Sequence, residues 1–176
     1  MAQFFVQFGK WFFMDKVDVV IETPKGSKYK YKFDPETNRF RVHKLLPAGL
    51  AFPYDFGFIP ETKGDDGDPL DVLIFAEDSY LPGSVVRCEI IGAIKAKQTS
   101  DDETVRNDRI IVIPALTIKK EKQEALEDLS KQKIQEIENF FVYYNKMEQK
   151  EFKPLGLLSA KETWKTIKEQ FTGHEA

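Results

Sequence analysis

The chain has 176 residues, 41% hydrophobic and 13% aromatic, enough to fill one core of ordinary domain size. A formal net charge of -3, with both signs dispersed along the chain, argues against an electrostatic grip on nucleic acid, so any anionic ligand needs a local cationic cluster. The single cysteine, Cys88, has no internal disulfide partner and sits in the apolar run VVRCEII, as expected of a small buried residue in a reducing cytoplasm.

Residues 1–16, MAQFFVQFGKWFFMDK, lack the basic start and small-residue cleavage site of an export signal. Their apolar part is also too short to span a bilayer, so no membrane partner is expected. Phe4, Phe5, Phe8, Trp11, Phe12 and Phe13 make this an aromatic extension that should pack on the body or on a neighbouring subunit. From Val17 to Pro114 the runs VDVVIE, YKYKF, RFRVH, DVLIF, SVVRCEIIGAIKA and RIIVIP alternate with turn residues, which predicts a small barrel or curled sheet. From about Asp128 the period becomes helical: Leu129, Ile134, Ile137, Phe141 and Tyr144 fall near one face of KQKIQEIENFFVYYNKM. A second helix begins at SAKE, where Ser159 and Glu162 form a capping box. Strands first and helices last give an α+β order. With no repeat and no linker, residues 1–176 read as one domain carrying an N-terminal extension.

The chemistry gathers in DDGDPLD, where Asp65, Asp66, Asp68 and Asp71 fall within seven residues. Gly67 and Pro69 impose a stiff turn, and like charges held together need a cation among them. Oxygen donors without nearby Cys or His suit hard divalent ions such as Mg²⁺ or Mn²⁺ and make zinc a poor match. An EF-hand is excluded because Leu70 and Asp71 stand at the wrong loop positions and the flanks are strand-like. A solvated Asp-Gly turn is the plainer reading of the same residues. The rest of this half of the chain adds Glu22 with Lys25, Lys28, Lys30 and Lys32, and later Arg106, Asp108 and Arg109. Cations that bind phosphate oxygens then accompany carboxylates that hold metal.

These residues resemble the soluble family I inorganic pyrophosphatases. DGDPLDV matches that family's Asp-x-Asp-Pro-x-Asp signature, and the likeness extends through IETPKGS, LPAGLAFPYDFGFIPET, LPGSVV and FFVYYNK. The resemblance implies a small closed five-stranded OB-like barrel with flanking C-terminal helices that hydrolyses pyrophosphate with Mg²⁺. It implies Asp66, Asp71 and Glu22 as metal ligands and Asp68 as the group acting on the attacking water. Lys30, Lys44, Arg109 and Tyr144 would bind phosphate, and a cytoplasmic homo-oligomer, most commonly a hexamer, would be the assembly.

The match has departures. Lys32 stands where the family has Glu, Lys44 where it has Arg, and Phe52 and Phe56 where it has tyrosines. Gln98 and Asn107 occupy the positions of two acids, and Asn145 that of a helix lysine, although Lys146 follows it. Asp108 is the expected replacement metal ligand, with Asp101, Asp102 or Glu103 as alternatives within the loop QTSDDETVRND. Two other functions stay open: a phosphate- or polyanion-binding protein with weakened catalysis, and a hydrolase of bulkier phosphoanhydrides admitted past Phe52 and Phe56.

Overall fold

The structure is a computed structural model that describes residues 16–116 and 125–173; the aromatic N-terminal run lies outside these residues. In chain order the elements are β1 (Lys16–Thr23), β2 (Tyr29–Asp34), β3 (Arg39–Leu45), β4 (Asp55–Ile59), β5 (Leu70–Ile74), β6 (Val85–Ser100), β7 (Glu103–Arg106) and β8 (Arg109–Pro114). Helix α1 (Lys131–Met147), β9 (Glu151–Ser159) and helix α2 (Ala160–Glu169) follow.

Five strands close on themselves. β1 pairs with β4, β4 with β5, β5 with β8, β8 with β6, and β6 returns to β1. All these ladders are antiparallel except β5–β8. The period-2 alternation of a strand sends neighbouring residues to opposite faces. Accordingly, Ile110 and Val112 join Val19, Ile21 and Cys88 in one cluster, while Ile111 and Ile113 join Ile137 and Phe141 of α1 in another. β8 is buried along its whole length because it separates two apolar layers. Burial pushes the Cys88 thiol up to about 12, as expected of an inert core residue.

Three strands escaped the sequence reading. β9 carries Pro154 and Gly156, which ordinarily argue against a strand interior. Here the β6–β9 register slips between Lys95 and Ala96, opposite these residues, and the pairing resumes on both sides. The stretch read as a long loop, QTSDDETVRND, is instead a hairpin: β6 runs on to Ser100, and Ser100 pairs with Glu103. Asp101 and Asp102 form its two-residue turn with φ of 50° and 63°, the left-handed pair that a tight hairpin requires. β4 was hidden inside an aromatic run. Its Gly57 lies so close to β1 that a Cβ there would stand 2.0 Å from the Val20 carbonyl oxygen, so only glycine fits.

Both helices start where expected. The Ser130 hydroxyl accepts from the Lys133 N–H, and Ser159 accepts from the Glu162 N–H while the Glu162 carboxylate accepts from the Ser159 N–H. Replacing Ser159 with Ala removes one half of that box. Urea unfolding should show a loss of about 1 kcal/mol with little change in activity.

Candidate active site

A cleft of about 420 Å³ opens where one end of the barrel meets the β2–β3 hairpin and the last turns of α1. Its acidic side is built by the loop entering β5. The Gly64 N–H donates to the Asp68 carbonyl at 2.8 Å and the Gly67 N–H to Gly64 at 3.0 Å, with Gly67 at φ 85°. The Asp66 carboxylate accepts from the Asp68 N–H at 3.1 Å, stiffening the turn from within. Asp71 follows on β5, tied to the barrel by fully buried Val72 and Leu73. Glu22 arrives from β1, whose register against β4 slips between Ile21 and Thr23 and leaves Glu22 without a partner across the ladder. Such a bulge re-aims a side chain, and Glu22 lies buried at the cleft, accepting from the Phe33 N–H at 2.7 Å.

Cations face these carboxylates. Lys30 and Lys32 come from β2, Lys44 from β3 directly across from Lys30, and Arg109 from the first residue of β8. Lys32 pairs with Asp68 at 3.0 Å, Arg109 with Asp71 at 2.8 Å, and Lys44 with Glu148 at 2.6 Å. The Asn107 amide donates to Asp66 at 3.0 Å and to the Gln98 carbonyl at 3.1 Å, and its oxygen accepts from Arg109. Arg109 is 4% exposed and lies over the rings of Phe141 and Phe152 at 4.8 and 5.1 Å. Among the described residues, two buried donors make no well-formed hydrogen bond: the Tyr144 hydroxyl and the Arg109 Nε. Buried donors are nearly always satisfied, so this pair at a cleft marks a place for acceptor oxygens.

The electrostatics agree with crowded negative charge. Burial raises the pKa of Glu22 above the ordinary carboxylate value, opposed by the Phe33 N–H and Lys30, with Asp71 adding to the rise. Asp66 is exposed as a residue, yet packing around its carboxylate raises its pKa; the Asp68 N–H opposes this, and the charges of Asp71 and Asp68 reinforce it. A carboxyl raised in the folded state loses stability for the fold as pH climbs from its unfolded value through its folded value. Glu22→Gln keeps an acceptor for the Phe33 N–H without that charge. Thermal melting should therefore show Glu22→Gln more stable than the parent at pH 7, with the gap closing below the ordinary carboxylate range.

The sequence-expected residues divide. Glu22, Lys30, Lys44, Asp66, Asp68, Asp71, Arg109 and Tyr144 all line the cleft. Asp108 does not line it; it borders a smaller adjoining pocket together with Asp66 and Asp71. Its carboxylate accepts from the Ala96 N–H at 3.0 Å and is clamped by Arg106 at 2.6 Å. Asp101, Asp102 and Glu103 sit exposed at the hairpin tip and do not line the cleft either. Lys25 is turned to the Glu77 carbonyl, and Lys28 is exposed outside the cleft. Phe52 and Phe56 are 2% exposed and pack behind the wall against α1, where they form no part of the cleft's lining. Their lost hydroxyls therefore do not widen it. Asp65 stays exposed and accepts only a long bond from Gln170 at 3.3 Å. The sequence reading missed His43, Glu61, Glu148 and Lys150, which also line the cleft. No periodicity links them to the motif: His43 lies on β3, Glu61 follows β4, and Glu148 and Lys150 sit at the chain reversal after α1. Burial and the charges of Lys44, Lys30 and Lys32 lower the His43 pKa, so the ring is neutral at pH 7.

Among the described residues, no group of three or more His, Cys, Asp or Glu side chains is arranged to close around one ion. Asp66, Asp68 and Asp71 are instead each bonded to an amide or a cation. The donor chemistry nonetheless fits a hard divalent ion: every anionic group at the cleft is a carboxylate, and burial, reinforced by neighbouring carboxylates, raises Glu22 and Asp66.

A family model described as inorganic pyrophosphatase matches residues 19–174. The chain belongs to the inorganic pyrophosphatase family. It is 35% identical over 164 residues to the inorganic pyrophosphatase of Leifsonia xyli subsp. xyli, covering 93% of this chain and 98% of that one. To the inorganic pyrophosphatase of Synechocystis sp. it is 36% identical over 140 residues, 80% of each chain. The crystal structure of an inorganic pyrophosphatase from Neisseria gonorrhoeae superposes with a TM-score of 0.80 at 32% identity, covering 89% of both chains. That from Thermus thermophilus gives 0.80 at 29% identity and 88% of both. Membership fits the closed five-stranded ring and the flanking helices as well as the motif.

Proposed function

We infer that this chain hydrolyses inorganic pyrophosphate to two phosphates, in keeping with its family. The observation that carries the reading is the meeting, in one cleft, of Glu22, Asp66, Asp68 and Asp71 with cations and two buried, unsatisfied donors. Glu22, Asp66 and Asp71 would hold divalent metal, with Mg²⁺ the proposed ion and Mn²⁺ a substitute. Such ions, when bound, acidify water and neutralise substrate charge.

The chain's own groups do the rest. The Asp68 carboxylate is exposed and, among the described residues, bonded to Lys32, so it is available to accept a proton from the attacking water. As the water oxygen bonds to phosphorus, the bridging P–O bond breaks and the second phosphate leaves. Lys30, Lys44, Arg109 and Tyr144 bind the phosphate oxygens: Arg109 Nε and the Tyr144 hydroxyl supply buried donors. Preorganised donors in a dry wall cost no rearrangement when charge develops on those oxygens. Asn107 and Gln98, neutral where carboxylates were expected, hold Asp66 in place.

No described helix is long and apolar enough to cross a membrane. A cytoplasmic location is proposed from the free, buried Cys88. The proposed assembly is a homo-oligomer, a hexamer by family resemblance, supported by Tyr143 and Met147 on α1 and Leu155 on β9, which are 47%, 50% and 42% exposed.

Phosphate release should be measured on pyrophosphate, short polyphosphates and nucleoside triphosphates side by side. Pyrophosphate should be turned over fastest. Preference for a bulkier anhydride would overturn the substrate assignment, and tight pyrophosphate binding without release would leave only the binding-protein reading.

A further inference from the structure

The cleft's cations are mostly committed. Lys32, Lys44 and Arg109 stand in ion pairs with Asp68, Glu148 and Asp71, and His43 is neutral at pH 7. Among the described residues, two cationic side chains line the cleft without an ion pair: Lys30 and Lys150. Lys30 lies over the rings of Phe56 and Tyr144, at 5.3 and 5.7 Å. Lys150 has no role in the motif reading, since it follows α1 by three residues and shares no helical period with Tyr144.

The chain reversal after α1 places it. The Glu148 and Lys150 N–H groups both return to the Asn145 carbonyl at 2.9 Å. Gln149 between them takes φ 59°, the left-handed conformation that turns a chain back on its helix. Lys150 therefore comes back beside Asn145 and Glu148 at the cleft wall. Neighbouring polar residues do not offer the same charge. Asn145 is 3% exposed, and its amide donates to the Phe141 carbonyl at 2.8 Å, so it braces the helix. Lys146, the next lysine along α1, is exposed and does not line the cleft.

We propose that Lys150 is a pyrophosphate-binding residue, supplying with Lys30 the positive charge that the cleft has not already spent on its own carboxylates. The proposal rests on the pyrophosphatase reading. Pyrophosphate carries more negative charge than a phosphate monoester, and a lysine free of other partners meets it without first breaking an ion pair. This role concerns binding, so its loss should appear in KM and not in the chemical step.

Steady-state hydrolysis of Lys150→Gln, Lys150→Arg and Lys146→Gln tests it. Lys150→Gln should raise KM for pyrophosphate roughly tenfold with kcat within about threefold, as expected for one lost charge-assisted contact. Lys150→Arg should keep KM close to the parent, and Lys146→Gln should leave both constants unchanged. A parent-like KM in Lys150→Gln, a loss confined to kcat, or an equal rise in Lys146→Gln would overturn the proposal. If the parent releases no phosphate, the pyrophosphatase reading fails separately. Calorimetry with pyrophosphate then decides the point: weaker binding by Lys150→Gln than by Lys146→Gln supports the assignment, and equal binding refutes it.

Discussion

Asp68→Asn should lower phosphate release from pyrophosphate by about a thousandfold, in the range typical of losing a positioned general base. The substitution preserves size and removes only charge and basicity. It should leave the fold intact, because the Asp68 side chain is 59% exposed and its one ion pair, to Lys32, is also open to water. Exposed pairs of this kind contribute about 0–1 kcal/mol, so the urea midpoint should barely move. The Asp68 N–H and carbonyl, which hold the turn through Asp66 and Gly64, are unchanged by the substitution. A variant that melts like the parent and retains near-parental rate would remove Asp68 from the chemistry.

Arg109→Met should damage stability and activity together. Arg109 is buried, its partner Asp71 is three-quarters buried, and the 2.8 Å pair lies between β8 and β5 in the closed ring. Methionine fills much of the volume over Phe141 and Phe152 but leaves Asp71 without its cation. Breaking such a pair from one side costs about 3 kcal/mol, chiefly through the charge left behind. Adding Asp71→Asn to Arg109→Met should recover most of that loss in urea unfolding while activity stays absent. Additive losses in the double variant would mean that the pair is not coupled. Arg109→Lys retains charge but not the fork, so it should keep the fold better than the catalytic rate.

What the sequence shows and hides follows from the range of the interactions involved. The carboxylate turn was readable because Gly67, Pro69 and the apolar run of β5 act within ten positions. The capping box at Ser159 and the buried face of α1 were readable for the same reason. β9 was not, because what makes it a strand is its pairing with β6 across more than fifty residues, tolerated despite Pro154 by a slip in register. The setting of Asp108 was not readable because its partners, the Ala96 N–H and Arg106, are placed by the β6–β7 hairpin, which no local pattern announces. Lys150 was invisible because one left-handed residue, Gln149, decides its direction.

The most direct test of the account is phosphate release from pyrophosphate by the parent chain, titrated with Mg²⁺ and then with a chelator. The carboxylate cleft built by Glu22, Asp66 and Asp71 predicts release that rises with Mg²⁺, falls to background on chelation, and returns when Mg²⁺ or Mn²⁺ is restored. Turnover that persists undiminished in excess chelator, or none at any metal concentration, would contradict it.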